Sequence, residues 1–521
     1  MNSPSKPLLQ SPKRFFGFGV LLMVSCALAM YHRSLGQPFV QDDWKILHYL
    51  LYSDTVTVLT DFWIPDGLFY RPLSMTYHVL MYAVAGLNPL IPHTFLLIWI
   101  SLCGTLIAIL AREFQLRPLP ALLIGTLWVG SCFLMHDVVL WMVGINEGLY
   151  LALLMGSLLC LIKGRPKSAS LLLLSSLLCK EAAISLPISL AAYSILHLCC
   201  NGPSSFSDFR KYCKTWAPMY IVSFGYLVFR LIARLSYQPV VHPSYQFQFG
   251  AEEQLHVWTT FPLWILKTLL PWNQNASVYS RIEEVLGQHP LLSLLSLFIL
   301  TAIALFLMIR ADRCQQPAED AWIHSPRVFL FCWFGAACLP FIIIPNHAYR
   351  YYLLHPFIPL LLLNAILIRD LQWTKKYPQT ATLLLSLFAL QFFIGNYRYN
   401  LHMQKVPIDY QQAYGLNNLS EKAHYVNILA RDLPQLLPDL APQQMVVIQG
   451  QPLHGTLAYM APEIWYHKRP LYINGQESVR IENGFVHGHH NGLPIKTPID
   501  QTIFLTLDSE NLTYATEAPL Q

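Results

Sequence analysis

The sequence has few charged residues for a chain of its length. Only 12% of its 521 residues are charged, whereas 54% are hydrophobic. Soluble domains carry about 25% charged residues, so a water-soluble fold is excluded for most of the chain. Apolar stretches of about 17 to 25 residues, the length that crosses a bilayer, recur from Phe15 to Tyr397. They predict a polytopic α-helical membrane protein.

The sequence also lacks a concentrated basic surface, and its C-terminal part lacks cysteine. The net charge is only +5, and Lys and Arg occur in short clusters between apolar stretches, which argues against nucleic acid as a partner. All 11 cysteines lie between Cys26 and Cys338, in or beside apolar segments. This distribution favours buried packing thiols over a disulfide framework.

The basic clusters orient the predicted helices, because Lys and Arg in short loops are retained on the cytoplasmic side. With a cytoplasmic N-terminus, about eleven spans place every cluster on that side. The stretch from Leu255 to Leu270 does not fit as a span and is expected along the outer interface. Two short helices are expected to meet at membrane depth near Cys179 to Glu181. The predicted spans are 15–32, 93–110, 119–135, 147–162, 169–179, 182–198, 216–235, 291–309, 327–345, 351–368 and 379–396.

This topology divides the chain into two parts. Residues 1–397 are the predicted membrane domain, with a first outer loop at 32–92. Residues 398–521 are expected to form a small extracytoplasmic α/β domain, with a helix near 423–437 and strands at 445–449 and 502–507. The run His487 to His490 could hold a metal, but its glycine favours an exposed turn.

Adjacent carboxylates stand in the first outer loop, at Asp42 and Asp43. Such a pair can deprotonate an acceptor hydroxyl or hold a divalent cation near a phosphate. The alternative is structural, because both residues precede a predicted helix from Trp44 to Tyr52, where carboxylates satisfy free amides and the helix dipole. The spacing leaves both interpretations open.

Charged residues at predicted membrane boundaries indicate a site nearby. Arg71, after Tyr70, can clamp a phosphate through two hydrogen bonds or merely extend to the membrane surface. Glu147, Lys180 and Glu181 are costly at membrane depth, so they mark either a site or, for Lys180 and Glu181, an ion pair that neutralises itself.

Further polar residues fall on the same predicted side. Arg350 is held outside against the positive-inside bias and therefore needs an anionic partner. Tyr349, His93 and His136 add polar groups at the same boundary. Together these residues predict an anion-binding cleft that carries carboxylates, at the lipid interface.

A series of motifs follows in a characteristic order: the acidic pair, Tyr70-Arg71-Pro72-Leu73, Gly86-Leu87-Asn88-Pro89, His93, the run from His136 to Trp141, the run from Cys179 to Pro187, and Tyr349-Arg350-Tyr351-Tyr352. This order resembles the GT-C superfamily of glycosyltransferases. It is most similar to the protein-mannosyltransferase-like group, which includes the transmembrane TPR-containing O-mannosyltransferases and bacterial family-39-type enzymes. The resemblance covers residues 15–371.

The resemblance implies a GT-C fold and an inverting transfer of a sugar, of the hexosyl or mannosyl type, from a polyprenyl-phosphate carrier to a hydroxyl acceptor. It implies that Asp42 is the catalytic base with Asp43 beside it, and that Arg71 and Arg350 bind the donor phosphate. The sequence itself assigns no metal ligands and no certain cofactor, and it leaves a divalent cation possible. The residues expected to line the cavity are Tyr70, His93, His136, Glu147, Lys180, Glu181 and Tyr349.

The acceptor stays open between protein, lipid and polysaccharide, because no TPR array follows the membrane part. A secondary transporter or flippase of lipid-linked glycans, or a non-catalytic binder of such lipids, would also carry charges in the membrane. Transporters place these charges near the midplane between inverted repeats, whereas here they gather at one face. The compact tail favours a bacterial inner membrane, with the C-terminus in the periplasm.

Overall fold

The computed structural model describes residues 11–40, 42–65, 69–201, 206–238, 250–269, 325–344, 349–371, 376–403, 419–441, 444–450, 472–474, 479–490, 493–508 and 511–515. Most of these residues are helical. The helices are α1 (Pro12–Tyr31), α2 (Asp42–Tyr52), α3 (Thr55–Trp63), α4 (Pro72–Ala85), α5 (Leu90–Glu113), α6 (Pro118–Val129), α7 (Cys132–Leu140), α8 (Ile145–Ile162), α9 (Pro166–Cys179), α10 (Ser185–Asn201), α11 (Phe206–Tyr237), α12 (Ala251–Leu269), α13 (Pro326–Ile343), α14 (Leu354–Asp370), α15 (Pro378–Met403) and α16 (Leu419–Leu436).

Within this described part, seven helices are long and apolar enough to cross a bilayer, and an eighth span results if α6 and α7 count as one. Helices α9 and α13 are apolar but shorter. The protein is therefore a multi-pass membrane protein. Helix α12, expected at the interface, is not among the candidate spans. The predicted span 291–309 lies outside the described residues, so the total of about eleven stays a prediction.

Proline sets the start of several helices. Pro12, Pro72, Pro118, Pro166 and Pro326 each occupy the first turn of a helix. The proline ring fixes φ near its helical value and lacks only an amide that has no intrahelical partner there. The chain can therefore begin a new helix directly after a short connection.

The connection from α1 to α5 folds into three short helices, α2 to α4. The Asp54 carboxylate accepts hydrogen bonds from the Val56 and Thr57 amides and caps α3. The Ser74 hydroxyl donates to the carbonyl oxygen of Cys179, 3.1 Å away, and so attaches α4 to the end of α9. The end of the helical bundle that carries α2 to α4 is called the loop face below.

Two helix breaks lie in the membrane part. The first separates α6 from α7 with a bend of 55°, so the stretch 119–135 is not the continuous helix that the sequence predicts. The second was predicted: α9 ends at Cys179, and Lys180 is extended, with φ −159° and ψ 131°. A 3₁₀ turn, Glu181–Ile184, then leads into α10.

Basic residues from two predicted cytoplasmic clusters, Arg369 and Lys163, lie at the opposite end of the bundle together with Arg327. Arg369 donates to the carbonyl oxygen of Phe114 at 2.9 Å, and Arg327 forms an ion pair with Asp370. Lys163 lies 3.9 Å from a carboxylate oxygen of Glu113, at the end of α5. Their common position agrees with the one-sided arrangement that the positive-inside rule requires.

The C-terminal part combines α16 with two small sheets. In the first, β1 pairs in parallel with β2 and β6, and β7 pairs antiparallel with β6; in the second, β3, β4 and β5 are antiparallel. The predicted helix and both predicted strands are present, although α15 continues past the predicted boundary at 397. The strands are β1 (Met445–Gly450), β2 (Tyr472–Asn474), β3 (Arg480–Glu482), β4 (Phe485–His490), β5 (Leu493–Pro498), β6 (Thr502–Leu507) and β7 (Leu512–Tyr514). His487 to His490 therefore lie in a strand and not in a glycine turn.

One apolar cluster connects this C-terminal part to the loop face. We call it the docking cluster. Its buried residues come from α2 and its approach, from the turn after α7, and from α16 and the first sheet. They include Phe39, Trp44, Leu47, Met142, Tyr425, Leu429, Leu433, Val446 and Leu505. Helix α2 is thus packed between the membrane part and the C-terminal part.

Nine of the eleven cysteines have side chains that the structure describes, and none of these nine forms a disulfide. Most of them are buried or half-buried. The preference for packing thiols is confirmed for this part of the chain.

Candidate active site

The two adjacent carboxylates of the first loop have different surroundings. Asp43 is completely buried, and its carboxylate accepts hydrogen bonds from three backbone amides: Val40 at 3.0 Å, Met142 at 3.1 Å and Val143 at 3.0 Å. Asp42, the first residue of α2, is half-buried. Asp43 is therefore structural, but it links the loop to the turn after α7 and does not cap α2, whereas the chemical interpretation stays open for Asp42.

Burial also changes the acidity of this region. Removal from water raises the pKa of Asp43 to about 7, although the three amide hydrogen bonds oppose this shift by stabilising the carboxylate. Burial likewise raises the pKa of Tyr349, and the negative charges of Asp42 and Asp137 add to the effect. Asp42 and Tyr349 are therefore close enough to interact electrostatically.

Arg71 stands directly before α4 and points to the break after α9. Its Nε lies 3.0 Å from one carboxylate oxygen of Glu181, and its NH2 lies 2.5 Å from the other. The Arg71 side chain is 17% exposed and that of Glu181 is 44% exposed. Arg71 is thus a partly buried guanidinium in a two-point ion pair, and not an arginine that merely extends to the membrane surface.

The structural interpretation of Lys180 and Glu181 was an ion pair between the two neighbours. In the structure each of them pairs with a different residue. Lys180 forms a buried ion pair with Glu147 of α8. Three aromatic rings surround its ammonium group, with centroids 4.5 Å (Tyr352), 5.5 Å (Tyr150) and 5.7 Å (Tyr351) away. Ammonium groups are attracted to the faces of aromatic rings. The two ion pairs, Arg71 with Glu181 and Lys180 with Glu147, form a four-charge cluster at the loop face.

Arg350 has the anionic partner that its position demanded. Its Nε and NH2 lie 2.9 Å and 2.6 Å from the two carboxylate oxygens of Asp137, and its NH1 donates to the hydroxyl oxygen of Tyr399 at 2.5 Å. Both side chains of the ion pair are buried, with 2% and 1% exposed. The guanidinium is thus fully engaged within the protein, on both edges.

A run of tyrosines connects these groups. The rings of Tyr349 and Tyr351 are stacked, with centroids 5.6 Å apart, and Tyr351 contacts Tyr352 at 4.6 Å. Tyr349 interacts with Asp42, whereas Tyr352 lies over Lys180. The acidic loop and the four-charge cluster therefore border one continuous aromatic surface.

The remaining predicted residues lie around this surface. Tyr70 contacts Phe229 of α11, with ring centroids 5.3 Å apart. His136 lies beside Arg350, and its Nδ1 is 3.2 Å from the side-chain oxygen of Asn400. His93 is completely buried in α5. Tyr70 is at the rim, and the two histidines belong to the packed interior.

Sequence reasoning missed Arg230. Its guanidinium carbon lies 5.5 Å from the centre of the ring of Tyr70, the residue that precedes Arg71. Arg230 stands near the end of α11, on the side where the positive-inside rule disfavours arginine. The criterion that singled out Arg350 therefore also applied to Arg230. Asp137 was seen in its motif but was not assigned, because its partner is 213 positions away.

Cofactor binding was left open by the sequence. Among the residues that the structure describes, no group of three or more His, Cys, Asp or Glu side chains is arranged to hold a metal ion. Within the acidic pair, the Asp43 carboxylate is occupied by hydrogen bonds from backbone amides. The possible divalent cation stays a prediction.

The fold is similar to that of a solved protein. The crystal structure of ArnT from Cupriavidus metallidurans in the apo state is 15% identical, covers 88% of this chain and 86% of that chain, and gives a TM-score of 0.51. ArnT bound to undecaprenyl phosphate gives the same identity and coverage with a TM-score of 0.49. No family model and no curated protein matches the chain. The GT-C fold is thereby confirmed, and the narrower protein-mannosyltransferase-like group stays a prediction.

Proposed function

We propose that the protein transfers a sugar from a polyprenyl-phosphate donor to a hydroxyl acceptor at the loop face, with inversion at the anomeric carbon. The observation that carries the proposal is one arrangement on a GT-C fold: a half-buried carboxylate, Asp42, and the four-charge cluster that holds Arg71 and Lys180 border the same tyrosine surface. A general base and an anion site are the two parts that such a transfer needs.

The proposed chemistry is a single displacement. Asp42 takes the proton of the acceptor hydroxyl, and the oxygen of that hydroxyl forms a bond to the anomeric carbon of the sugar. The bond from that carbon to the phosphate oxygen breaks, and polyprenyl phosphate leaves with the electron pair. Arg71 and Lys180 stabilise the negative charge that develops on the phosphate, which a preorganised cationic site does without further reorganisation. Asp43 holds the loop so that Asp42 stays in position.

Arg350 takes a different role from the donor binding that the resemblance implies. Because Asp137 and Tyr399 occupy its guanidinium on both edges, we assign it to the support of the adjoining Tyr349 to Tyr352 run. Donor binding then depends on Arg71 and Lys180, with Arg230 close to the same rim.

The proposed orientation places the loop face and the C-terminal part outside the cytoplasm. It is supported by the basic residues that meet at the opposite end of the bundle, around Arg369 and Lys163. A periplasmic site on a bacterial inner membrane fits this orientation, and the donor would reach the site from the surrounding lipid.

The decisive test uses Asp42→Asn in purified protein reconstituted in nanodiscs. Labelled polyprenyl-phosphate sugar and a cell extract as acceptor source are supplied, and release of polyprenyl phosphate is measured. We expect turnover to fall by about 10²- to 10⁴-fold, the usual contribution of a general base, at an unchanged melting temperature.

The exposed Asp500→Asn is the matched control and should retain full turnover. Full activity of Asp42→Asn would remove Asp42 from catalysis. Donor binding without turnover in the unaltered protein would indicate a non-catalytic binder, and uptake of the intact lipid across vesicles would indicate a transporter.

A further inference from the structure

The four-charge cluster is electrically balanced as it stands. Arg71 and Lys180 carry two positive charges, and Glu181 and Glu147 carry two negative charges. A phosphate that enters this cluster adds negative charge beside two carboxylates. Like charges at close range in a partly buried site repel strongly, so one carboxylate has to leave before the phosphate gains from both cations.

The two carboxylates differ in how easily they can leave. The Glu147 side chain is 7% exposed and is enclosed together with Lys180, whereas the Glu181 side chain is 44% exposed. Moving Glu147 would leave a buried ammonium group without its counter-charge, which is strongly destabilising in proteins. Glu181 can turn away with a smaller loss, because nearly half of its side chain is accessible and Arg71 gains the phosphate in its place.

The geometry of Arg71 suits such an exchange. It binds Glu181 with the Nε and NH2 edge of its guanidinium, at 3.0 Å and 2.5 Å. A phosphate monoester presents two oxygens to that same edge with nearly the same spacing as a carboxylate. Phosphate can therefore take the place of Glu181 without movement of the arginine.

We propose that Glu181 is a displaceable counter-ion of Arg71. In the donor-free protein it holds the guanidinium in its binding position, and it turns away when the phosphate of the lipid binds. Lys180 keeps Glu147 throughout. When Glu181 returns to Arg71, it competes with the polyprenyl phosphate product and promotes its release. The inference rests on the proposed function for the identity of the lipid.

The mechanism also accounts for selection of a charged lipid. A neutral polyprenol offers no charge that could replace a carboxylate on Arg71. Only an anionic head group can compensate the guanidinium after Glu181 has turned away.

The test measures dissociation constants of polyprenyl phosphate for the unaltered protein, Glu181→Gln and Glu147→Gln in nanodiscs. Removal of the competing charge in Glu181→Gln should tighten binding by roughly tenfold. Glu147→Gln leaves the Arg71–Glu181 pair in place, so it should tighten binding less than Glu181→Gln does, and it should lower the melting temperature. In turnover assays Glu181→Gln should lower both the donor KM and kcat, because the product leaves more slowly. Polyprenol should bind all three proteins equally weakly.

Unchanged or weaker phosphate binding by Glu181→Gln would overturn the counter-ion role and assign Glu181 to the positioning of Arg71. That result leaves the proposed function intact as long as the unaltered protein binds the lipid. If neither the unaltered protein nor the variant binds polyprenyl phosphate, the proposed donor is wrong and the inference falls with it.

Discussion

At the scale of single residues, Asp43 makes stability depend on pH. Its folded-state pKa of about 7 lies above 3.8, the ordinary pKa of an aspartate, so the folded protein retains the proton to a higher pH than the unfolded chain does. A raised pKa contributes stability that is complete below about pH 4 and is lost as the pH rises through about 7. From about pH 5 to 8 this loss amounts to about 3 kcal/mol.

Asp43→Asn removes this titration, so the melting temperature of the unaltered protein should fall relative to the variant between pH 5 and 8. The variant should be less stable at pH 5. Its side-chain NH₂ group cannot accept the hydrogen bonds that backbone amides donate to the carboxyl oxygens of Asp43. A constant difference between the two melting curves would show that Asp43 does not titrate in this range.

A second residue-scale prediction separates support from donor binding at Arg350. Asp137→Asn leaves a buried guanidinium without its counter-charge and should cost about 3 to 5 kcal/mol of stability. Arg350→Lys keeps the charge but cannot contact both Asp137 and Tyr399 in the same geometry, so its stability should fall less. Thermal unfolding in detergent measures both.

The dissociation constant for polyprenyl phosphate provides the contrasting measurement. It should be unchanged in Arg350→Lys protein that is still folded. Tenfold weaker binding at a normal melting temperature would return Arg350 to the donor site, as the resemblance implies.

The sequence could identify these charged residues but not their partners. It placed Arg350 on an unfavourable side and so required an anion nearby, but Asp137 is 213 positions away. It found the acidic pair, but two of the three amides that donate to the Asp43 carboxylate belong to residues 99 and 100 positions further along the chain. Local patterns report local preferences, whereas burial and pairing are decided by tertiary packing.

At the scale of elements, helix α2 depends on the C-terminal part. Trp44 is 2% exposed within the docking cluster, and its ring contacts Phe39 edge-on at 5.7 Å. The side chain stands two positions after Asp42 on the same short helix. A short helix gains most of its stability from tertiary packing, so α2 should lose order without this contact.

Trp44→Ala should therefore lower kcat while donor binding persists, since Arg71 lies on a different element. Hydrogen exchange of the α2 amides should become faster, and Trp44→Phe should restore part of both properties. The exposed neighbour Lys45→Ala is the matched control and should change neither. Protected α2 amides in Trp44→Ala would show that the docking cluster does not hold this helix.

Elements were predictable where apolar length or strand pattern is strong. The strands at 445–449 and 502–507 and the break at Lys180 appear where they were expected. The break between α6 and α7 was not predicted, because the stretch 119–135 is apolar enough to be taken for one span. It falls at Gly130 and Ser131, where a Cβ on Gly130 would lie 2.4 Å from the ring of Phe393 on α15. Nothing in the local sequence reports this neighbour.

At the scale of the whole molecule, close packing between helices stabilises the bundle. The hydrophobic effect contributes little to their association, because lipid tails are as apolar as a leucine side chain. Helices α5 and α6 approach most closely at Gly104 and Gly125. A Cβ on Gly125 would lie 2.3 Å from the carbonyl oxygen of Gly104, and one on Gly104 would lie 2.5 Å from a methyl group of Val129. Backbone atoms cannot yield as a side chain can, so any larger residue at Gly125 has to separate the helices.

Gly125→Ala should therefore lower the melting temperature in detergent by several degrees, although alanine favours a helix over glycine by about 1 kcal/mol. Gly17→Ala is the matched control, because a Cβ there meets nothing within 4 Å. It should be neutral or slightly stabilising for the same reason of propensity. If the two variants unfold at the same temperature, the close approach of α5 and α6 does not contribute to stability. If only Gly125→Ala is destabilised, the close approach of α5 and α6 at this crossing contributes to the stability of the bundle. Helix α5 leads back from this crossing to the loop face, where the proposed site lies.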